Sequence, residues 1–283
     1  TVTDVVGNDT LDFSNVSINL TFDFGQAKVT GSANSVSYTN IENFNGGSGN
    51  DAFVFSSNSS VIGNINGSGG IDTLNFSSSA IVRIITLLGI GSVDGFTGTA
   101  TGIGGSFNNI NVVLSGTGSD TLIGTDLIAR WDLDGTDIYT AGGNSLAFSG
   151  FEVLQGGSST DLFVLTGAQS YRINAGAGND TLWMTETATY SGVFDGQAGS
   201  DTLSYAERTT SVVADLVTRT GTGIIGEYFG IENLTGGSAN DTLTGDNGAN
   251  VLNGGPGNDS LAGSTGNDTY HFDNDWGIDI VIE

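Results

Sequence analysis

Residues 230–272 read GIENLTGGSANDTLTGDNGANVLNGGPGNDSLAGSTGNDTYHF and contain one short pattern several times. A Gly-rich turn ends in Asn-Asp, and a large apolar residue stands two positions after the Asp, as Leu243 follows Asp241 and Leu261 follows Asp259. Glycine supplies backbone conformations that other residues avoid, and the Thr-Leu-Thr stretch after the turn alternates polar and apolar residues as a strand does. The pattern therefore predicts a turn followed by a short strand, repeated along the chain.

The same turn recurs over the rest of the sequence. The clearest copies are GGSGNDAF (46–53), AGAGNDTL (175–182), GGSANDTL (236–243) and GGPGNDSL (254–261). Looser copies end in Asp9, Asp72, Asp120, Asp161, Asp201 and Asp268, and degenerate copies end in Asp94, Asp137 and Asp279. Apart from Asp268, these aspartates lie about 21 residues from one another on average, with two double steps near residues 30 and 221. A chain that turns at a fixed period stacks its turns and pairs its successive strands in parallel.

These observations predict an all-β parallel solenoid of about 13 coils, each of about 18–24 residues. No segment shows a sustained helical period, and no linker interrupts the pattern. We therefore expect residues 1–283 to form a single elongated domain, in which 230–283 carries a regular nonapeptide and 1–229 carries longer, degenerate coils. A spacing of about 4.8 Å per coil would make this domain roughly 60 Å long. The two double steps are expected to contain coils without an ion.

Three glutamates form a second series, half a coil away from the aspartates. Glu42, Glu152 and Glu232 each stand nine residues before a turn Asp, and each has a large apolar residue two positions later. Asn250 and Asp268 continue this series at a spacing of 18 residues. Two interpretations of the glutamates remain open: their carboxylates reach ions on a second side of the coils, or they face water.

The composition excludes several classes of protein. Lys and Arg total 6 against 31 Asp and Glu, and the resulting net charge of −25 repels the phosphates of nucleic acid. The absence of Cys excludes disulfides and thiolate metal sites. The longest apolar run, 80–90, is about half as long as a membrane span and contains Arg83, so we interpret it as a buried strand. We expect neither a nucleic-acid partner nor a membrane span.

The repeated aspartates predict bound calcium. Calcium takes about six to eight oxygen ligands from carboxylates and backbone carbonyls, and two stacked Gly-Asp turns offer both. Roughly 9–12 ions would balance most of the net charge of −25. The candidate carboxylate ligands are Asp9, Asp51, Asp72, Asp94, Asp120, Asp137, Asp161, Asp180, Asp201, Asp241, Asp259, Asp268 and Asp279. The candidate carbonyl ligands are Gly46, Gly47, Gly49, Gly176, Gly178, Gly236, Gly237, Gly254, Gly255, Gly257 and Gly266.

The repeats resemble the GGxGxDxUx nonapeptide of RTX, or hemolysin-type, calcium-binding repeat proteins, and residues 230–283 resemble it most closely. The resemblance implies a right-handed parallel β-roll in which calcium is held between the turns of consecutive coils. It also implies bacterial secretion and folding once the chain meets millimolar calcium outside the cell. For residues 1–200, where most coils are longer, a wider parallel β-helix with a calcium-lined edge is an equal alternative.

The sequence offers little for catalysis, and no catalytic residue is predicted. Parallel β-helices include polysaccharide lyases and hydrolases, so the fold alone does not exclude an enzyme. However, the chain contains neither a nucleophile elbow nor a zinc-protease motif, and its one His, His271, is expected on a surface strand. Arg130-Trp131-Asp132 is the one candidate sugar contact, and its alternative is an exposed turn. The acidic residues between 132 and 137 offer a further ion site or a solvated turn.

Together these features predict a calcium-binding structural repeat segment of a secreted bacterial protein, such as an adhesin, surface-layer or filament protein. Its expected partners are calcium ions, neighbouring copies of the chain stacked end to end, or a cell-surface or polysaccharide ligand. The chain is expected to be a piece of a larger protein, because the pattern is already under way at its start and no capping element is visible at its end. Two alternatives are the C-terminal secretion module of a secreted hydrolase and a polysaccharide-active β-helix enzyme.

Overall fold

The computed structural model describes residues 2–3, 7–274 and 277–283. Within these residues the chain consists of short β-strands joined by turns, and it forms no helix. Most neighbouring strands pair in parallel, which confirms the predicted all-β parallel class. The strands are short because each Gly-rich turn changes the direction of the chain after a few residues.

The strands are numbered along the chain, and those of the first half are as follows. They are β1 (Val2–Thr3), β2 (Thr10–Asp12), β3 (Thr21–Asp23), β4 (Lys28–Gly31), β5 (Asn34–Thr39), β6 (Asn43–Asn45), β7 (Ala52–Val54), β8 (Ile65–Asn66), β9 (Thr73–Asn75), β10 (Ile84–Ile90), β11 (Phe96–Ala100), β12 (Phe107–Ile110), β13 (Val112–Leu114), β14 (Thr121–Ile123), β15 (Ala129–Leu133), β16 (Ile138–Ala141) and β17 (Asn144–Ser149).

The second half contains strands of similar length. They are β18 (Val153–Gln155), β19 (Asp161–Leu165), β20 (Ala168–Gln169), β21 (Arg172–Asn174), β22 (Thr181–Met184), β23 (Thr189–Tyr190), β24 (Val193–Asp195), β25 (Thr202–Ser204), β26 (Val213–Asp215), β27 (Thr220–Gly221), β28 (Glu227–Phe229), β29 (Asn233–Thr235), β30 (Thr242–Thr244), β31 (Val251–Asn253), β32 (Ser260–Ala262), β33 (Thr269–His271) and β34 (Ile280–Ile282).

The chain divides into two compact units. The first comprises Thr1–Leu127 with Thr136–Val153, and the second comprises Ile128–Gly135 with Leu154–Glu283. In the first unit the strand order is β1-β5-β4-β3-β7-β9-β13-β17-β16 in one sheet and β2-β6-β8-β12-β11-β10-β14 in another. In the second unit the longest run of neighbours is β15-β19-β22-β25-β29-β31-β33, with β27-β26-β30-β32-β34, β21-β24-β28 and β20-β23 beside it.

The apolar position after each turn Asp points into the core, as the repeat predicts. In the second unit the paired residues form a continuous column through parallel strands: Phe163, Leu182, Leu203, Leu234 and Leu252. All of these side chains are buried. Each fully buried Leu or Phe stabilises the fold by about 1.5–3 kcal/mol. Tyr270 and Val281, at the same positions in the last coil, are partly exposed.

Antiparallel hairpins replace some of the predicted parallel coils. In the first unit β3, β4 and β5 pair antiparallel, as do β10, β11 and β12, and β16 with β17; in the second unit β26 pairs with β27. The double steps near residues 30 and 221 are therefore excursions of the chain and not coils without an ion. The parallel prediction failed here because neither segment contains the Gly-Asn-Asp turn that directs the chain into the next coil.

The apolar run 80–90 is only half-buried, which corrects its interpretation as a buried strand. On β10, Ile85 and Leu87 are buried while Ile84, Leu88 and Ile90 are exposed. The strand lies at the start of an antiparallel hairpin and therefore has one face toward the core and one toward solvent.

Candidate metal centre

The turn aspartates are linked through hydrogen bonds from one coil to the next. The backbone N–H of Asp51 donates to Oδ1 of Asp72 (2.8 Å), and that of Asp180 donates to Oδ1 of Asp201 (2.7 Å). The same bond joins Asp161 to Asp180 (2.7 Å), Asp241 to Asp259 (2.8 Å) and Asp259 to Asp279 (2.9 Å). We call each such series an aspartate column. Stacking of the turns holds these carboxylates one strand spacing apart.

The columns separate Asp241 and Asp259 from Glu232, Asn250 and Asp268, as the second series in the sequence indicates. They differ from the sequence prediction in joining Asp161, Asp180 and Asp201 to this second series. In the second unit Asp161, Asp180 and Asp201 continue through Glu232, Asn250 and Asp268, because their strands β19, β22, β25, β29, β31 and β33 are neighbours. Asp241, Asp259 and Asp279 form a separate column on β30, β32 and β34. The sequence did not show that Asp201 joins Glu232, because 31 residues and the antiparallel strands β26 and β27 lie between them.

Some turns satisfy both oxygens of their acidic side chain, and we call these closed turns. Oδ2 of Asp51 accepts a bond from the N–H of Gly47 (2.7 Å), and Oδ2 of Asp241 accepts one from Gly237 (2.6 Å). The corresponding bonds reach Asp120 from Gly116 (3.1 Å) and Asp161 from Gly157 (2.9 Å). In the turn of Asn250, which has an amide in place of the carboxylate, Oδ1 accepts the N–H of Asp246 (2.8 Å). In a closed turn, the backbone N–H four residues before the Asp therefore fixes the position of the carboxylate.

Other turns leave one buried carboxylate oxygen without a hydrogen-bond donor, and we call these open turns. The oxygens concerned are Oδ2 of Asp72, Asp180, Asp201, Asp259 and Asp268. In every open turn the residue two positions before the Asp is a glycine with positive φ: Gly70 (119°), Gly178 (132°), Gly199 (154°), Gly257 (154°) and Gly266 (143°). This conformation lays the glycine against the preceding turn, where a Cβ on Gly257 would overlap the carbonyl of Ala239.

A backbone carbonyl oxygen of a neighbouring turn lies near the carboxylate in closed and open turns alike; in the closed turn of Asp241, a Cβ on Gly236 would overlap both Oδ2 of Asp241 and the carbonyl oxygen of Gly254. A Cβ on Gly67 would overlap both Oδ2 of Asp72 and the carbonyl oxygen of Asn109, and a Cβ on Gly196 would overlap Oδ2 of Asp201 and the carbonyl oxygen of Gly230. In an open turn the carboxylate oxygen beside this carbonyl has no hydrogen-bond donor, which is unfavourable in a buried site. A cation between them removes this cost, so the open turns fit calcium in both donor type and arrangement.

Burial also shifts the acidity of these aspartates. Burial raises the pKa of Asp72 to about 7, with further contributions from Asp51 and Asp94, and raises the pKa of Asp201 to about 7, with contributions from Asp180, Glu232 and Asp195. Burial likewise raises the pKa of Asp180 to about 6. These values describe carboxylates in a site without a cation. A bound divalent ion would favour their ionised forms.

The remaining predicted ligands lie in several settings. The glycines that the sequence predicts as carbonyl ligands occupy the turns of Asp51, Asp180, Asp241, Asp259 and Asp268. Asp94 and Asp137 precede the antiparallel strands β11 and β16 and not parallel coils. Within the described residues no three His, Cys, Asp or Glu side chains cluster as a metal site. A cation at the open turns would therefore be held by carboxylates together with backbone carbonyls.

The three glutamates take the place of an aspartate in the columns. Their Oε2 atoms accept the backbone N–H of Asp9 (2.9 Å), Asp120 (2.7 Å) and Asp201 (2.8 Å), from Glu42, Glu152 and Glu232 respectively. Neither interpretation drawn from the sequence anticipated this bond. In each case a residue with positive φ stands two positions before the Glu: Asn40 (55°), Gly150 (80°) and Gly230 (59°). The recurring segments IENFNGG, FEVLQGG and IENLTGG were the signal that could have shown this.

Three columns begin on a turn that contains no aspartate, which sequence reasoning missed. Oδ1 of Asp51, Asp120 and Asp241 accepts the N–H of Leu20 (2.8 Å), Arg83 (2.6 Å) and Val212 (2.8 Å). The preceding tight turns begin at an aromatic residue and close between Phe13 and Val16, Phe76 and Ser79, and Tyr205 and Arg208. They lack both Gly and Asp, so the repeat pattern does not reveal them.

The candidate sugar contact at Arg130, Trp131 and Asp132 does not expose its aromatic residue to solvent. Trp131 lies on β15, is fully buried and stacks on Phe163, and its Nε1 donates to Oδ1 of Asp161 (3.3 Å). Arg130 is exposed and pairs with Asp132 (2.6 Å). The tryptophan was misassigned because an alternating strand places it on the inner face, opposite to its two charged neighbours. His271 lies exposed on β33, 3.8 Å from Asp273.

The comparisons agree with this geometry. A family model of the RTX calcium-binding nonapeptide repeat matches the chain in four copies, over residues 172–183 and 230–270. The chain therefore contains RTX repeats, and such repeats bind Ca²⁺. A search of the curated proteins gave no match. None of the described residues forms a helix that is long and apolar enough to cross a membrane.

Proposed function

We propose that this chain is a calcium-dependent structural scaffold of an extracellular bacterial protein, of the adhesin, surface-layer or filament kind, and that it has no catalytic role. The observation that carries the proposal is the set of open turns, in which buried carboxylate oxygens lack hydrogen-bond donors. Calcium binding that is available only to the folded coil adds directly to the free energy of folding. Ions would join successive coils along each column.

The net charge of −25 supports a role for calcium in export. At the low calcium of a cytosol, repulsion between stacked carboxylates would keep the chain unfolded and able to cross a secretion channel. Millimolar calcium outside the cell would then fold it. Placement at the cell surface, and stacking of copies end to end, belong to the same proposal.

A secretion and folding module of a larger hydrolase is the second candidate, because the RTX match at 172–183 and 230–270 suits either context. A polysaccharide-active enzyme has weaker support, because Trp131 is buried and unable to stack on a sugar. The full gene sequence separates the first two candidates, since a catalytic domain on the same chain would favour the module.

Refolding at controlled calcium tests the proposal. The denatured chain is diluted into buffer with about 0.1 µM or about 1 mM free calcium, and far-UV circular dichroism and protease resistance are followed. We expect β structure and resistance at the higher concentration and neither at the lower one, with Mg²⁺ unable to replace Ca²⁺. A chain that becomes native at 0.1 µM would contradict the export mechanism.

A further inference from the structure

Asp94 belongs to an antiparallel hairpin and yet meets a parallel aspartate turn. It lies in the turn between β10 and β11, which the N–H of Gly91 closes on the carbonyl of Gly95 (2.9 Å). Its Oδ2 accepts the N–H of Gly70 (3.3 Å), inside the open turn that ends at Asp72. The hairpin therefore brings a second carboxylate to this turn from outside the aspartate column.

Asn109 fixes the geometry of the junction. Its side chain is buried, its Oδ1 accepts the N–H of Val93 (2.8 Å), and its Nδ2 donates to Oδ1 of Asn66 (2.8 Å). Its backbone has a φ of 55°, which is uncommon for a residue other than glycine. The carbonyl oxygen of Asn109 and Oδ2 of Asp72 both lie beside Gly67, where an added Cβ would overlap each of them.

Both turns of this junction carry an unsatisfied acceptor oxygen. Oδ2 of Asp72 and Oδ1 of Asp94 are both buried without a hydrogen-bond donor, and the Asp72 side chain as a whole is 0% exposed. Among the described residues neither carboxylate takes part in an ion pair. Two carboxylates and a carbonyl, all hard oxygen donors with two negative charges, match a divalent cation of the calcium type.

We propose that Asp72, Asp94 and the carbonyl of Asn109 form a calcium site that fastens the hairpin β10–β12 to the parallel coils. This site differs from one between consecutive repeat turns, because one carboxylate comes from the hairpin. It also lies outside the segments that match the RTX repeat model, 172–183 and 230–270.

Bound calcium per chain tests the site. The wild type and the variants Asp72→Asn, Asp94→Asn and the double variant are dialysed against saturating calcium and measured by metal analysis. Each single variant is expected to lose one ion, and the double variant to lose one and not two, because both carboxylates hold the same ion. The control Asp12→Asn removes the same charge from an exposed side chain that only caps the N–H of Ser14 (2.9 Å), and it should lose none.

The outcomes distinguish this site from the general scaffold function. Loss of an ion from Asp72→Asn but not from Asp94→Asn would overturn the proposal, since the ion would then belong to the column of Asp51 and Asp72 alone. A wild type that binds no calcium would instead overturn the scaffold proposal. If Asp94→Asn does not reach the native circular dichroism spectrum, Asp94→Glu keeps the charge but changes its reach. We expect Asp94→Glu to weaken one site by at least about tenfold, and unchanged affinity at all sites would again contradict the proposal.

Discussion

Closed and open turns differ in one hydrogen bond and in the backbone conformation two positions before the Asp. In the closed turn of Asp241 the backbone N–H of Gly237 satisfies Oδ2, and the residue two positions before the Asp is Ala239. In the open turn of Asp259, one coil later in the same column, that position is Gly257 with a φ of 154°, and Oδ2 has no donor. In the closed turn the protein supplies a hydrogen-bond donor to each carboxylate oxygen, whereas in the open turn a cation is needed to satisfy Oδ2.

Closed and open turns have similar sequences but different roles in the columns. Asp51, Asp120 and Asp241 each lie in a closed turn at the start of a separate column. The coil before each of them has no aspartate turn on which it could stack. Open turns follow where a Gly-rich turn already lies beneath them. The energetic dependence on calcium should therefore concentrate in the open turns.

The largest effect is expected from a side chain at the glycine of an open turn. Gly257→Ala combines a positive φ with overlap of the Ala239 carbonyl, so we expect the free energy of unfolding in calcium to fall by at least about 3 kcal/mol. The matched control is Gly167→Ala, in the same unit, with a φ of 68° and no atom near the added Cβ. It should cost about 1–2 kcal/mol. Urea denaturation measures both, and equal losses would show that stacking of the open turn adds nothing.

Removal of charge should act in opposite directions at the two kinds of turn when calcium is absent. In EDTA, with enough of a stabilising osmolyte to keep the chain folded, Asp259→Asn replaces an unsatisfied oxygen by an amide, and we expect an increase in stability of about 1 kcal/mol. The two carboxylate oxygens of Asp241 accept the N–H groups of Val212 and Gly237. Asp241→Asn sets an NH2 group against one of these donors, so the free energy of unfolding should fall by about 1–2 kcal/mol. Thermal unfolding with EDTA and with calcium measures this. In calcium, Asp259→Asn should become destabilising, and a stabilising effect in both buffers would contradict the assignment of a cation to the open turn.

The pH dependence of stability should reverse when calcium is removed. Burial raises the pKa of Asp72 and Asp201 to about 7 in the folded chain, against the ordinary value of 3.8. The folded state then binds more protons, so this contribution is fully present below about pH 4 and is lost as the pH rises through 7. In EDTA, with enough of a stabilising osmolyte to keep the chain folded, the melting temperature should be higher at pH 5 than at pH 8. With calcium it should be lower at pH 5, because protons compete with the ion. The same trend in both buffers would show that the carboxylates of Asp72 and Asp201 do not bind the ion.

The smallest effect is expected at the glutamates that replace an aspartate. Glu232→Gln keeps an oxygen for the N–H of Asp201 and should cost less than about 1 kcal/mol. Glu232→Asp keeps the charge but shortens the arm, and so it should cost more than the Gln variant. Chemical denaturation in calcium compares the two. A larger loss for Gln than for Asp would mean that the charge, and not the reach of the side chain, matters at this position.

Much of the fold could be predicted because one local rule recurs. Leu243 and Leu261 are buried where the spacing from Asp241 and Asp259 places them, and their strands pair in parallel as expected. The hairpins at β3–β5 and β26–β27 could not be predicted, because they depend on pairing within an insertion that has no repeat signature.

The candidate site was predictable in kind but not in arrangement. The aspartates and glycines are in the turns, but whether Oδ2 of an Asp has a donor depends on the stacked neighbour and on the φ of one glycine. Trp131 shows the same limit, since its polar neighbours suggested an exposed residue while the strand turns it inward.

The central claim is that calcium completes the open turns, and a calcium titration of the metal-stripped chain tests it most directly. The chain is taken from EDTA to about 10 mM Ca²⁺ while far-UV circular dichroism is recorded and bound metal is measured, with Mg²⁺ as control. The account predicts a cooperative gain of β structure specific to calcium, accompanied by binding of several ions per chain. A β spectrum already complete in EDTA, in a sample that metal analysis shows to be free of metal, would contradict it.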